Sequence, residues 1–340
     1  MRQFIFLILG IGLFVQSYAQ PATNENELDA VFQQAKSINT IRAVLIQQNG
    51  ELLGEAYFRS ASPDYPYNIK SASKSIISLL VGIAADQDKI SLNDRLGDYF
   101  PEYFKENPHP EKENITVRNL LSMQSGLETT SFHNYGRWVI SDNWAEFQLN
   151  QPLIEEPGGK MTYSTGISHL LSVIISKATE MSTRAFANKY LFEPMDIHIG
   201  GWDRDPQGYY MGGNNLAMTP KDLLKIGQMI LNGGIWKNQR IVSKEWVHDS
   251  FQTYTRSNFN PYDYGYMWWN RPVGEFDVYF AWGFGGQYLF MIPELNAVTV
   301  ITSFLENATQ RRTYKEPIFD LLKDDIIPFL EQNYPNLTDD

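Results

Sequence analysis

Ser71-Ala72-Ser73-Lys74 opens an unusually apolar run, Ile76-Ile77-Ser78-Leu79-Leu80-Val81-Gly82-Ile83-Ala84-Ala85. If the run is a helix, Ser71 sits at its first turn and Lys74 one turn on, because residues three apart share a face. The helix N-terminus adds partial positive charge beside the serine. An amine in such a place is pushed toward neutrality, and a neutral lysine is a base. That is one route to an activated serine nucleophile. Ser-x-x-Lys occurs once in the chain, about as often as chance allows. The competing reading is an N-capping serine followed by a solvated first-turn lysine.

Around this run the chain changes character twice. Leu28 to Ser37 reads as a helix. Ala43–Gln48, Asn49-Gly50 and Glu51–Phe58 form a hairpin signal with its turn residues explicit. From Ser91 to about Phe251 the pattern is mainly helical, broken by loops rich in Pro, Gly and aromatics. Asp277–Trp282, Gln287–Ile292 and Ala297–Thr302 then read as strands, and Tyr314–Glu331 as an amphipathic helix. Strands at both ends with helices between predict an α/β (α+β) fold, its antiparallel sheet built from both chain ends and a mainly helical lobe inserted. The expected division is an α/β lobe over about 28–90 and 262–335 and a helical lobe over about 91–261, within one domain spanning 20–340.

The first nineteen residues are read separately. Arg2, an apolar stretch from Phe4 to Val15 and small residues at Ser17 and Ala19 have the order of a secretory signal peptide cut before Gln20. Export, to a periplasmic or extracellular site, is the expectation. An uncleaved anchor is the alternative, although the stretch is short for a membrane span, and no integral membrane segment is expected after cleavage. No cysteine follows, which excludes a lipid anchor at that point, and none occurs anywhere, so no disulfide supports the fold. The net charge of −11 argues against nucleic acid and anionic membrane as partners. The five histidines are scattered and no metal-ligand spacing is present, so neither metal nor cofactor is expected.

A nucleophilic serine needs a base, an oxyanion site and a cleft. The G-x-S-x-G elbow of another hydrolase class is absent. His169, inside the apolar run Ile167–Ile175, reads as a core or boundary residue. Tyr163 lies in the Gly-rich segment Pro157–Gly166 just before that run, where a loop could present it to a cleft. A phenol beside an ammonium has a lowered pKa and can serve as a base; the alternative is a packing tyrosine. Trp282-Gly283-Phe284-Gly285-Gly286 falls between two strand-like runs, where glycines mark a close approach of backbones or an ordinary turn. An edge strand there could offer an amide to an oxyanion.

Taken in order, Ser71-x-x-Lys74, Tyr163-Ser164-Thr165 and Trp282-Gly283-Phe284 resemble the three motifs of class C β-lactamase-like serine hydrolases, a group including penicillin-binding proteins, esterases and 6-aminohexanoate-dimer hydrolases. Ile115–Leu127, Met218–Leu223, Leu231–Gly234 and Tyr264–Trp269 are similar to further segments of that group, so the resemblance runs from about Ile41 to Phe304. It implies the β-lactamase/transpeptidase-like fold, with Ser71 as the acylated nucleophile and Lys74 and Tyr163 sharing the proton transfers. The backbone amides of Ser71 and Phe284 would receive the oxyanion, with Thr165, Trp282 and Gly283 lining the substrate site. The implied partner is a small ester, amide or peptide.

Two departures bear on specificity. Thr165 stands where the motif has Asn, and a hydroxyl lacks the two-way hydrogen bonding of an amide. Ala281 or Trp282 stands where the third motif has Lys or His, so the cation that would meet a β-lactam carboxylate is missing there. Both point to a carboxylesterase or amide hydrolase ahead of a β-lactamase or D-alanyl-D-alanine peptidase. Ser141-Asp142-Asn143 copies a motif of another β-lactamase class, but no K-T-G follows, and Ser141 or Asp142 reads better as the cap of the Trp144–Leu149 helix. A catalytically inactive ligand-binding relative and an unrelated carbohydrate-binding protein, the latter suggested by eight tryptophans and nineteen tyrosines, remain as alternatives.

Overall fold

Asn49 and Gly50 both take positive φ, 53° and 80°. Two residues in that conformation make the tight turn whose twist matches paired antiparallel strands. In the computed structural model, which describes residues 25–333, this turn joins β1 (Ile41–Gln48) to β2 (Glu51–Tyr57). The expected signal segment, 1–19, lies outside the described residues.

The remaining strands of the main sheet come from the last third of the chain: β3 (Thr255–Arg256), β4 (Asp263–Tyr264), β5 (Trp269–Val273), β6 (Phe276–Gly283), β7 (Gln287–Ile292) and β8 (Ala297–Ser303). The order is β2-β1-β8-β7-β6-β5-β4-β3, antiparallel throughout. The sheet therefore reaches back to Thr255, ahead of the boundary at residue 262 expected from sequence. Two-residue strands such as β3 carry no alternation to detect.

Every residue of β7 and β8 is buried. A strand buried at consecutive positions has both faces covered, and helices supply the cover. α1 (Glu25–Ser37) lays Leu28 and Phe32 over Gly54 of β2. A later helix, Pro220–Leu231, sets Gly227 against Leu289 and Val298. The closing segment is helical as expected, but Leu322–Ile326 widens into a π turn within it.

The apolar run after Lys74 is α2 (Ser73–Asp86), buried from Ser73 through Ala84. A helix that is apolar all round belongs in the middle of a protein. It packs on α3 (Thr165–Thr179) and, through Gly82, on the Trp246 ring. One close approach fixes sheet and α2 relative to each other. At the end of β6, a Cβ built on Gly283 would stand 2.1 Å from the Ile69 carbonyl oxygen, two residues before Ser71.

Because the obstacle is backbone, Gly283→Ala must push β6 away from that turn. It is expected to cost about 1–3 kcal/mol in chemical denaturation. Gly136→Ala, whose Cβ would meet nothing within 4 Å, should leave the midpoint nearly unchanged.

Candidate active site

Lys70 adopts φ 54°, a left-handed conformation that costs a non-glycine residue energy. It is held there because Asn68 Oδ1 accepts from its amide at 2.8 Å and Ser73 Oγ donates to its carbonyl at 2.6 Å. The Ile69 amide donates to the Leu216 carbonyl at 2.9 Å. Ser71 therefore sits in a 3-10 turn, Lys70–Ala72, just ahead of α2 rather than in its first turn. The expected facing survives this difference: Lys74 Nζ lies 3.3 Å from Ser71 Oγ.

Lys74 is buried, with 1 % of its surface exposed. Its ammonium nitrogen donates to the Gly213 carbonyl at 2.8 Å and reaches Thr165 Oγ1 at 3.3 Å. It also lies 4.9 Å from the centre of the Tyr163 ring. These are uncharged partners, and burial lowers its pKa to about 7. Near neutrality this amine can give up its proton, the state in which it accepts one from a hydroxyl.

Tyr163-Ser164-Thr165 leads into α3, and its geometry is set by a second segment. Ser164, the residue ahead of the helix, supplies no side-chain cap. The first amides of α3 are satisfied from outside: the Thr165 amide donates to Ser131 Oγ at 2.8 Å and the Gly166 amide to Thr130 Oγ1 at 2.9 Å. Thr129 Oγ1 donates to the Tyr163 carbonyl at 2.6 Å, and Ser131 Oγ also meets Thr165 Oγ1 at 2.8 Å. Tyr163 is half-buried and stacks on Trp269 at 5.7 Å. Burial pushes its pKa up, and hydrogen bonding with Ser71 offsets this only in part. The phenol lowered by a neighbouring ammonium, expected from sequence, is thus reversed: the phenol keeps its proton, and the amine is the group that titrates near neutrality.

The third motif ends β6. Trp282 Nε1 donates to the Tyr314 hydroxyl at 3.2 Å. Burial raises the Tyr314 pKa to about 12, and hydrogen bonds from the Gly285 backbone and Trp282 work against that rise. Phe284 follows in the turn with its ring 52 % exposed. Beside it, Lys315 Nζ lies 5.2 Å from the Trp282 ring centre. A cation thus stands next to the third motif, supplied by a later helix rather than by the motif.

The structure brings Ser71, Lys74, Tyr163 and Thr165 together and sets Gly283 against the turn that carries Ser71. Sequence reasoning missed Ser131, Gly213 and Tyr314. The consecutive hydroxyls Thr129-Thr130-Ser131 and the pair Gly212-Gly213 were the available signals. Ser141-Asp142-Asn143 stays apart from this cluster in its bonding. Asn143, not Ser141 or Asp142, caps the Trp144–Leu149 helix, accepting from the Glu146 amide at 3.1 Å; Ser141 Oγ donates to the Trp138 carbonyl. Among the described residues no group of three or more His, Asp and Glu side chains is placed to hold a metal ion, and no helix is long and apolar enough to cross a membrane.

A beta-lactamase family model matches residues 29–318. The chain belongs to the beta-lactamase family of serine hydrolases. This family member is 23 % identical over 288 residues to the 6-aminohexanoate-dimer hydrolase of Paenarthrobacter ureafaciens, covering 76 % of this chain and 71 % of that one. Its fold is also that of a putative 6-aminohexanoate-dimer hydrolase from Bacillus anthracis, with TM-score 0.73, 19 % identity and coverage of 88 % and 81 %. EstCE1, described as a hydrolase with promiscuous acyltransferase activity, gives TM-score 0.68 at 17 % identity over 88 % of this chain and 98 % of its own.

For this family member, the buried amine predicts a stability effect with a definite pH dependence. The folded pKa of Lys74 lies below its unfolded value. Below about pH 7 the folded state therefore carries the full cost of the buried charge, and that cost is relieved as pH rises toward the ordinary lysine range. Lys74→Met should stabilise the protein by about 2–4 kcal/mol. The gain in denaturation midpoint should be larger near pH 6 than near pH 9.

Proposed function

We propose that this protein is an exported serine hydrolase that cleaves an ester or amide bond through an acyl-enzyme on Ser71. The observation that carries the reading is Ser71 Oγ 3.3 Å from a buried amine whose pKa lies at about 7. Neutral Lys74 accepts the Ser71 proton as Oγ attacks the substrate carbonyl carbon. The oxygen of that carbonyl takes up the negative charge, and the backbone amides of Ser71 and Phe284 receive it. Tyr163, still protonated, hands its proton to the departing alcohol or amine and is reprotonated from Lys74. Water then attacks the acyl-Ser71 ester, and the same groups return the serine to its hydroxyl form.

Phe132, beside the site, supports one substrate class. Ser131, bonded to Thr165, is followed directly by Phe132, which is 62 % exposed at φ 52°. The Phe132 ring packs 5.4 Å from Phe259 and 6.2 Å from Tyr163. An exposed, strained aromatic beside the proton-transfer groups suits an apolar acyl or alcohol group. The named activity of the Paenarthrobacter relative supports an amide; that of EstCE1 supports acyl transfer. Lys315 favours a second reading, a substrate carrying a carboxylate, including a β-lactam or a D-alanyl peptide. Export rests on the order of residues in Met1–Ala19; a mature protein whose N-terminus is not Gln20 removes that part.

A fluorophosphonate or p-nitrophenyl ester should add mass to Ser71 alone, and Ser71→Ala should lower kcat by about 10⁴-fold or more with the fold intact. In the wild type, kcat/KM should rise with pH through about 7, since only the neutral Lys74 amine accepts a proton. Label mapped to another residue overturns the mechanism.

On substrate choice, p-nitrophenyl butyrate is expected to give a higher kcat/KM than nitrocefin. The opposite order, abolished by Lys315→Met, establishes the carboxylate reading instead.

A further inference from the structure

His169 and Asp205 are a buried titratable pair that the proposed reaction does not use. His169 Nε2 lies 2.9 Å from Asp205 Oδ2, with 0 % and 1 % of the two side chains exposed. The rings of Trp138 and Trp144 close on the imidazole with centroids at 5.8 and 5.5 Å. Asp205 Oδ1 is itself taken, accepting from the Tyr209 amide at 2.8 Å. The other imidazole nitrogen, Nδ1, accepts from the Gly212 amide at 3.4 Å. An N–H faces Nδ1 and a carboxylate faces Nε2, so the partners assign the proton to Nε2.

The Gly212 amide belongs to a peptide unit fixed at both ends. Its carbonyl, on Met211, accepts from Trp202 Nε1 at 2.9 Å. Two glycines follow, and then the Gly213 carbonyl that holds Lys74 at 2.8 Å. Close packing alone sets their distance from α3: a Cβ on Gly212 would lie 2.1 Å from the Ser168 carbonyl oxygen, and one on Gly213 2.0 Å from Ser168 Oγ. Those contacts hold the short backbone link between the two peptides, and the hydrogen bond to His169 fixes the plane of the Met211–Gly212 unit from which that link starts.

We propose that His169 and Asp205 form a positioning dyad: Asp205 orients the imidazole, the imidazole orients the Gly212 peptide, and this aims the Gly213 carbonyl at Lys74. The inference rests on the Ser71–Lys74 reading, which acylation of wild-type Ser71 checks by itself; a wild type that never acylates overturns both.

Two variants separate positioning from core filling. His169→Gln keeps a donor for Asp205 and removes the acceptor for Gly212. It should lower kcat by about tenfold or more while KM stays within about twofold, because a base displaced by a fraction of an ångström loses rate rather than binding. His169→Asn combined with Asp205→Asn keeps an acceptor at the Nδ1 position and leaves no unpaired carboxylate. It should hold kcat within about threefold of wild type even if its denaturation midpoint falls further. Unchanged kcat in H169Q, or equal loss in both variants, overturns the dyad. Should H169Q not fold, ¹⁵N chemical shifts of the wild-type imidazole at the assay pH decide: a protonated Nε2 with a bare Nδ1 supports the proposal, and a protonated Nδ1 overturns it.

Discussion

A lysine amine held out of water by uncharged partners is the constraint on which this site depends. A paired carboxylate would hold the proton on Lys74, and open water would do the same. The fold therefore has to offer hydrogen bonds without offering charge. A backbone carbonyl and two hydroxyls meet that condition, and they come from three distant parts of the chain: Gly213, Thr165 and Ser71. Much of the architecture follows from delivering them. The apolar length of α2 keeps water from the amine, the strained turn at Lys70 turns the serine toward it, and the glycine pair lets a bare backbone come close.

The same economy governs the Tyr163 segment. The amides at the start of α3 are capped by side chains from residues 130 and 131 rather than by its own Ser164. Helix and facing loop become one unit, and whatever is attached to that loop, Phe132 included, is fixed relative to the phenol. Tyr314 does comparable work at the third motif, tying Trp282 and the Gly285 amide to the closing helices.

What the sequence made legible was local or strongly patterned. The Asn-Gly hairpin, the three late strands and the apolar run after Lys74 each declare themselves through turn chemistry or burial, and the spacing of Ser71 and Lys74 carries the facing that the structure has. The motif order placed Tyr163 and Thr165 beside them. Illegible were contributions made by backbone, such as the Gly213 carbonyl, since any residue owns one. Also hidden was the sign of the Tyr163 shift. Two neighbours can be guessed from spacing, whereas the depth at which they are buried depends on Trp269 and on helices far away in the chain. The extent of the sheet failed for a related reason: β4 is a strand only because β5 is there to pair with it, and β3 only because β4 is.

Strand order has a consequence for how the molecule comes into being. β1 sits between β2, its immediate successor, and β8, pairing Ile41 with Ser303. The hairpin can form as soon as residues 41–57 exist, yet one buried edge of it stays open until almost the whole chain has been made. Closing so long a loop is entropically slow. During that interval an apolar strand edge is available to any other chain that presents one. The pairing that joins the two chain ends thus leaves the first hairpin with an unpaired edge for most of the time the chain is being made.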